Sequence, residues 1–137
     1  MGIEERIEQL RKLREEAKAG GGPKRVEAQH AKGKLTARER LNLLFDAGTF
    51  EEIDPFATHR CTDFDMAKQK FLGDSVVTGY GKINNRLVFA FFQDFTVFGG
   101  SLSETPCVFV TKTRRQTPRN GAPFIAVLDS GGARIQE

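Results

Sequence analysis

Phe124-Ile-Ala-Val-Leu-Asp-Ser-Gly-Gly-Ala-Arg-Ile-Gln-Glu137 changes character twice within a short span. Phe124 to Leu128 is an unbroken apolar run too short for a helix, and such runs suit strands covered on both faces, as in a parallel sheet. Asp129-Ser-Gly-Gly132 is small and polar, and its paired glycines remove the Cβ atoms that would keep another molecule off the main chain. Ala133 to Glu137 are good helix formers. The order is therefore strand, glycine turn, helix start, with unpaired N–H groups pointing out of the turn. Such groups attract an anion, or an oxygen that becomes anionic during a reaction, and in a dry site each donor lowers a barrier by roughly 3 kcal/mol. The same glycines serve equally as a plain tight connection in an α/β fold, which on local pattern alone is the commoner role of Ser-Gly-Gly.

The pattern occurs once more upstream. Val76 to Ile83, then Asn84-Asn85, then Arg86 to Phe95 is a hairpin, two β-rich runs joined by residues that tolerate positive φ. Leu87 to Phe92 is apolar throughout, as expected of a central strand. Gly99-Gly100 follows as a second bare-backbone turn, and Ser101-x-x-Glu104 matches a capping box that would open a helix. In open α/β sheets ligands bind outside the carboxyl ends of strands, so two such turns on neighbouring strands would line one crevice.

Further toward the N-terminus, Ile3, Ile7, Leu10, Leu13 and Ala17 recur at intervals of three and four, which predicts an amphipathic helix that packs on its own domain or a neighbouring subunit. Gly20-Gly-Gly-Pro23 ends it and reads as a linker, giving two regions: residues 1–23, helix and linker, and residues 24–137, the main domain. Lys24 to Lys34 is basic and polar, able to meet phosphate groups but also the composition of a solvated face. Thr36-Ala-Arg-Glu39 is a capping box, predicting a short helix from Ala37 that Asp46-Ala-Gly48 stops. Thr49 to Ile53 reads as a short strand, and His59 to Lys70 as a loop. His30 and His59 lack partners at metal-ligand spacing, and the carboxylates Asp63 and Asp65 have nothing near them that marks an active site.

With 137 residues, 39% of them hydrophobic and twelve of them Phe, the chain can fill one core. No run approaches a membrane span, and Glu4, Glu5 and Glu8 fit neither a signal peptide nor a transit peptide, so the expected location is cytoplasmic, with no membrane insertion. Cys61 and Cys107 are expected to be reduced thiols, and no metal site is legible. A net charge of +3 suits an anionic ligand but falls short of the basic stripe of a nucleic-acid binder, even with Lys112, Arg114, Arg115 and Arg119 close together.

Four motifs in order, Lys32-Gly-Lys-Leu-Thr-Ala-Arg-Glu-Arg40, Phe71-Leu-Gly-Asp-Ser-Val-Val-Thr-Gly79, Gln93-Asp-Phe-Thr-Val-Phe-Gly-Gly-Ser-Leu-Ser-Glu104 and Asp129 to Glu137, resemble the N-terminal part of the carboxyltransferase subunit of biotin-dependent acyl-CoA carboxylases. The propionyl-CoA carboxylase β-chain and the methylmalonyl-CoA decarboxylase α-subunit are the nearest branches. The resemblance implies a crotonase-like (ClpP-like) α/β spiral. It also implies acyl-CoA as substrate, biotin as carboxybiotin on a partner carrier domain, biotin carboxylase subunits as further partners, a homo-oligomeric parent enzyme and no metal. In such enzymes the carboxylate passes from carboxybiotin to the α-carbon of the acyl-CoA through an enolate, and the protein supplies orientation and dipoles. The backbone of Gly131, Gly132 and Ala133 then belongs to the pocket that steadies the thioester oxygen. Phe98, Gly99, Gly100 and Ser101 meet the CoA or acyl portion. Arg134 orients the loop or meets an anion, unless it forms a structural ion pair.

The sequence departs from the family between Thr105 and Arg119, where β-branched residues and two prolines oppose the expected amphipathic helix. The pattern resumes at Asn120-Gly-Ala-Pro123 without a change of spacing, as two compensating frame changes in the coding sequence would produce. Family members also continue beyond the residue matching Glu137 with a second glycine-rich oxyanion element and a second carboxyltransferase domain. The chain is accordingly expected to be an N-terminal piece. A sodium-translocating decarboxylase α-subunit and a non-catalytic truncated fragment are the alternatives. The four-cysteine zinc ribbon of the bacterial acetyl-CoA branch cannot be built from two cysteines.

Overall fold

A computed structural model describes residues 2–137. Helices α1 (Ile3–Lys18), α2 (Pro23–Ala31) and α3 (Ala37–Leu44) precede strand β1 (Glu51–Ile53), hairpin strands β2 (Val76–Ile83) and β3 (Arg86–Gln93), helix α4 (Glu104–Asn120) and strand β4 (Phe124–Val127). The sheet has the order β1-β2-β3-β4. β2 and β3 pair antiparallel over their whole length, from Val76 opposite Gln93 to Ile83 opposite Arg86. Asn84 and Asn85 turn the hairpin at φ of 50° and 63°, the mirror-image conformation that matches the twist of the flanking strands. β4 returns parallel to β3, Phe89 opposite Phe124 and Phe92 opposite Val127.

Alternation along β3 divides the core. Val88, Ala90 and Phe92 face α3, where Ala37, Leu41 and Phe45 pack with Val77. Phe91 faces α4 and joins Val76 and Phe109. The two-faced apolar run is therefore covered by helices on both sides, the condition under which such runs persist. α3 opens as its sequence demands: Thr36 Oγ1 accepts from Glu39 N–H at 3.3 Å and Glu39 Oε2 accepts from Thr36 N–H at 2.7 Å. Its end differs in detail, with extended Phe45 as the cap and Gly48 left to the following turn.

Three local expectations change in the tertiary context. Residues 105–119 are helical, as the body of α4. Pro106 falls in the first turn, where its missing N–H is an orphan in any case, and Thr117 Oγ1 donates to Arg114 C=O at 2.8 Å, occupying the carbonyl that Pro118 cannot reach. The Ser101–Glu104 capping box does not form, since the N-cap is Ser103 while Glu104 pairs with Arg60. Residues 133–137 make no helix: Ala133 forms a parallel bridge with Leu102, because the chain leaving the turn runs beside that residue.

The N-terminal glycines are seated on the main fold. A Cβ on Gly21 would lie 1.8 Å from Thr96 C=O, so only glycine allows this approach, and Gly21 N–H donates to Thr96 Oγ1 at 3.0 Å. Pro23 then occupies the first turn of α2, so the basic stretch Lys24 to Lys34 is largely a helix. α1 has the expected length, but Ile3, Ile7, Leu10 and Leu13 are all exposed and only Ala17 is buried.

Candidate functional site

The two glycine turns stand at the carboxyl ends of β3 and β4, which are adjacent and parallel. They touch instead of facing each other across a gap. Gly131 N–H donates to Gly99 C=O at 2.9 Å. A Cβ on Gly100 would fall 2.1 Å from Asp129 C=O, and Gly100 itself has φ of 65°. Phe98 and Gly99 share that left-handed conformation at 48° and 62°. For Phe98 it is unfavourable, and the surroundings hold it: the Arg134 guanidinium lies 4.5 Å from its ring centroid, Phe71 5.3 Å and buried His59 5.6 Å.

Most of the amides expected as donors are already bonded within the protein. Besides Gly131, Gly132 N–H donates to Ser130 Oγ at 3.0 Å, and Ser130 Oγ donates to Gly132 C=O at 3.1 Å. Gly100 and Ser101 N–H close local turns to Val97 and Phe98 C=O, and Arg134 N–H donates to Leu102 C=O at 2.9 Å. The N–H groups of Gly99 and Ala133 have no acceptor among the described residues. Of the backbone named from the resemblance, Ala133 and Gly99 thus remain able to bind an oxygen, while Gly131 and Gly132 supply bare approach.

Arg134 and Ser101 are turned into the fold. The Arg134 guanidinium grips Asp74 with two bonds of 3.0 and 2.8 Å, and its side chain is 2% exposed. Its remaining donors reach Ser75 Oγ, Ser101 Oγ and Ser101 C=O. Such a fork is geometrically fixed, and with Glu137 Oε2 also 3.6 Å from Nη1 the guanidinium is enclosed by the protein's own groups. It anchors the outgoing chain beneath the turns.

Sequence reasoning missed the groups that hold the second turn. The Asp129 carboxylate, 8% exposed, accepts from Lys34 Nζ at 3.0 Å, Gln29 Nε2 at 2.9 Å and Arg40 at 2.8 Å. Burial pushes that carboxyl up, but the three donors together outweigh it and hold it below the ordinary aspartate range. No local spacing foretells these contacts, because they join segments about a hundred residues apart. The only signal was that Lys34, Arg40 and Asp129 lie within the ordered motifs, while Gln29 lies outside them.

Beside the first turn a cleft of about 330 Å³ is lined by Arg25, Gln29, Lys32, Phe95, Phe98 and Gly99. Lys32 and Lys34 lie over the Phe95 ring at 5.3 and 5.4 Å, and Arg25 over Phe71 at 5.1 Å. Arg25 and Lys32 pair with no carboxylate among the described residues. A larger groove of about 720 Å³ runs between α1, α3 and β1, but the Arg38–Glu52 ion pair spans its lining and neither Gly99-Gly100 nor Gly131-Gly132 borders it. No group of three or more metal-ligating side chains occurs among the described residues. No helix there is long and apolar enough to cross a membrane.

Residues 28–137 match the carboxyl transferase domain family. The propionyl-CoA carboxylase beta chain of Roseobacter denitrificans is 60% identical over 96% of this chain and 26% of its own length. The methylmalonyl-CoA decarboxylase subunit alpha of Veillonella parvula is 54% identical over 98% of this chain and 26% of its own. Transcarboxylase 12S, solved as a hexamer assembly with methylmalonyl-coenzyme A and methylmalonic acid bound, superposes with a TM-score of 0.97 at 51% identity, covering all of this chain and 26% of that one. A single-chain long-chain acyl-CoA carboxylase, 18% identical with a TM-score of 0.83, shares the fold. The chain spans about a quarter of the length of these curated relatives, and the crotonase-like α/β fold expected from its motifs is the fold it has. The order of helices, the parallel return of β4 and the paired glycine turns are those of a known architecture, and the chain belongs to the carboxyl transferase domain family.

Proposed function

We propose that this chain is the acyl-CoA-binding part of a carboxyltransferase in a biotin-dependent acyl-CoA carboxylase. There carboxylate moves from carboxybiotin to the α-carbon of the acyl-CoA, with propionyl-CoA the first substrate to try. The observation that supports this best is the pair of unspent amides, Gly99 and Ala133, on two touching turns beside a cleft of unpaired cations. Arg25 and Lys32 suit the phosphates of coenzyme A, and Phe95 and Phe98 offer apolar faces to the remainder. The Ala133 N–H meets the thioester oxygen as charge develops on it, Gly131 and Gly132 leave room for that approach, and Gly99, Gly100 and Phe98 border the acyl portion. Ser101 and Arg134 act from beneath, by fixing the turns.

Biotin on a carrier partner, biotin carboxylase subunits, homo-oligomeric assembly and the cytoplasm as compartment belong to the same proposal. So does the division at Pro23, which the start of the family match at residue 28 supports. The similarity to a methylmalonyl-CoA decarboxylase subunit favours one second reading, the same chemistry run toward CO2 release.

Calorimetric titration of the chain with propionyl-CoA tests the binding half. Saturable binding is expected, weakened about tenfold when Arg25 and Lys32 are both changed to Gln. The full-length protein carrying this segment, supplied with carboxybiotin, should carboxylate propionyl-CoA. No transfer to any acyl-CoA, together with no binding, would sink the reading.

A further inference from the structure

Asp129 makes more connections than a strand end requires. β4 already ends at Val127, yet two residues later the Asp129 carboxylate takes one donor from each of three N-terminal segments: Gln29 of α2, Lys34 of the connection after it and Arg40 of α3. Gln29 is itself buried and also donates to Leu35 C=O at 3.3 Å, so the connection before α3 is drawn into the same knot. The Asp129 backbone is committed as well. Its N–H donates to Gln93 Oε1 at 3.0 Å, at the end of β3, and its C=O occupies the space a Gly100 side chain would need. A shift of Asp129 therefore moves both glycine turns together.

We infer that Asp129 is a positioning residue that suspends the second glycine turn, and with it the Ala133 amide, from the N-terminal helices. This rests on the acyl-CoA reading above for its catalytic consequence, though not for the suspension itself. A backbone amide has no rotamer with which to correct its aim, so its setting depends on what fixes the turn. Within the turn itself only the Ser130 Oγ bonds to Gly132 do so. From outside, Gly131 N–H on Gly99 C=O and the Arg134 fork hold its far side, and the charge-assisted contacts of Asp129 tie its near side to the N-terminal helices; with the carboxylate almost wholly buried water cannot replace them. Asparagine at 129 keeps the shape but loses the charge, and it presents an N–H group to donors.

The test uses the full-length protein carrying this segment, as wild type, Asp129→Asn and Asp129→Glu, with two readouts. In steady-state kinetics Asp129→Asn should lower kcat about 100-fold while KM for propionyl-CoA stays within about threefold, and Asp129→Glu should recover part of the loss. In hydrogen exchange the Gly131 and Arg134 amides, bonded to Gly99 and Leu102 C=O, should exchange about tenfold faster in Asp129→Asn while the β2–β3 hairpin amides keep their protection. An unchanged kcat, or a loss that only follows the folded fraction, overturns the inference, as does unchanged exchange at Gly131. Should the wild type transfer no carboxylate, the acyl-CoA reading fails by itself and the exchange result alone decides Asp129. Where Asp129→Asn does not fold, Arg40→Met, which removes one donor at a part-exposed position, carries the same expectations with smaller changes.

Discussion

Gly100 and Asp129 meet through main-chain atoms, and two kinds of constraint coincide there. Gly100 has φ of 65°, and a methyl group in place of its hydrogen would lie 2.1 Å from Asp129 C=O. Gly100→Ala should lower stability by about 3 kcal/mol or more, read from urea unfolding, because neither the backbone conformation nor the space is available to alanine. Asp129 contributes stability of a pH-dependent kind. Burial opposes its charge, but the bonds from Lys34, Gln29 and Arg40 prevail, so its folded pKa lies below the ordinary 3.8. The unfolded chain then takes up the proton first: this contribution is complete above about pH 4 and is lost as pH falls through the folded value. Acid titration followed by circular dichroism should show a shallower loss below about pH 4 in Asp129→Asn than in wild type.

Among the elements, α4 shows how packing overrules composition. Its β-branched residues cost a few tenths of a kcal/mol each in helix propensity, and burial of Phe109 against Val76 and Phe91 outweighs them. Thr113 pays no such return for its hydroxyl. It is fully buried on the sheet side with Oγ1 unpartnered, so Thr113→Val should raise stability by about 1 kcal/mol, a thermal midpoint shift of about 4 °C in a chain of this size. A fall in the midpoint would place a partner on that hydroxyl. By contrast, α3 and the β2–β3 hairpin follow their local signals, because the Thr36–Glu39 box and the Asn84-Asn85 turn are completed within a few residues of chain.

On the scale of the molecule, the N-terminal segment divides into a docked part and a projecting one. Gly20, Gly21 and α2 are fastened to the turns through Thr96 and Asp129, whereas α1 carries Ile7 and Leu10 at 45% and 39% exposure. The double change Ile7→Ala and Leu10→Ala should therefore alter urea stability of the chain by less than about 0.5 kcal/mol. A loss of several times that would mean the stripe is packed in solution. β4 lies at the sheet edge beyond β3, and the second glycine turn beside it is tied through Asp129 to helices at the other end of the sequence.

The sequence by itself determined the hairpin, the buried central strand, the capped α3, the two glycine turns and, through four ordered motifs, the family. Each is encoded by neighbours along the chain, where periodicity, turn chemistry and caps act within a few residues. Only the tertiary structure decided which amides stay free, that Arg134 is consumed by Asp74, that residues 105–119 form a helix and that Asp129 hangs from α2 and α3. Those outcomes depend on partners about twenty to a hundred residues away, and a buried donor or acceptor takes whichever partner the assembled fold brings within reach.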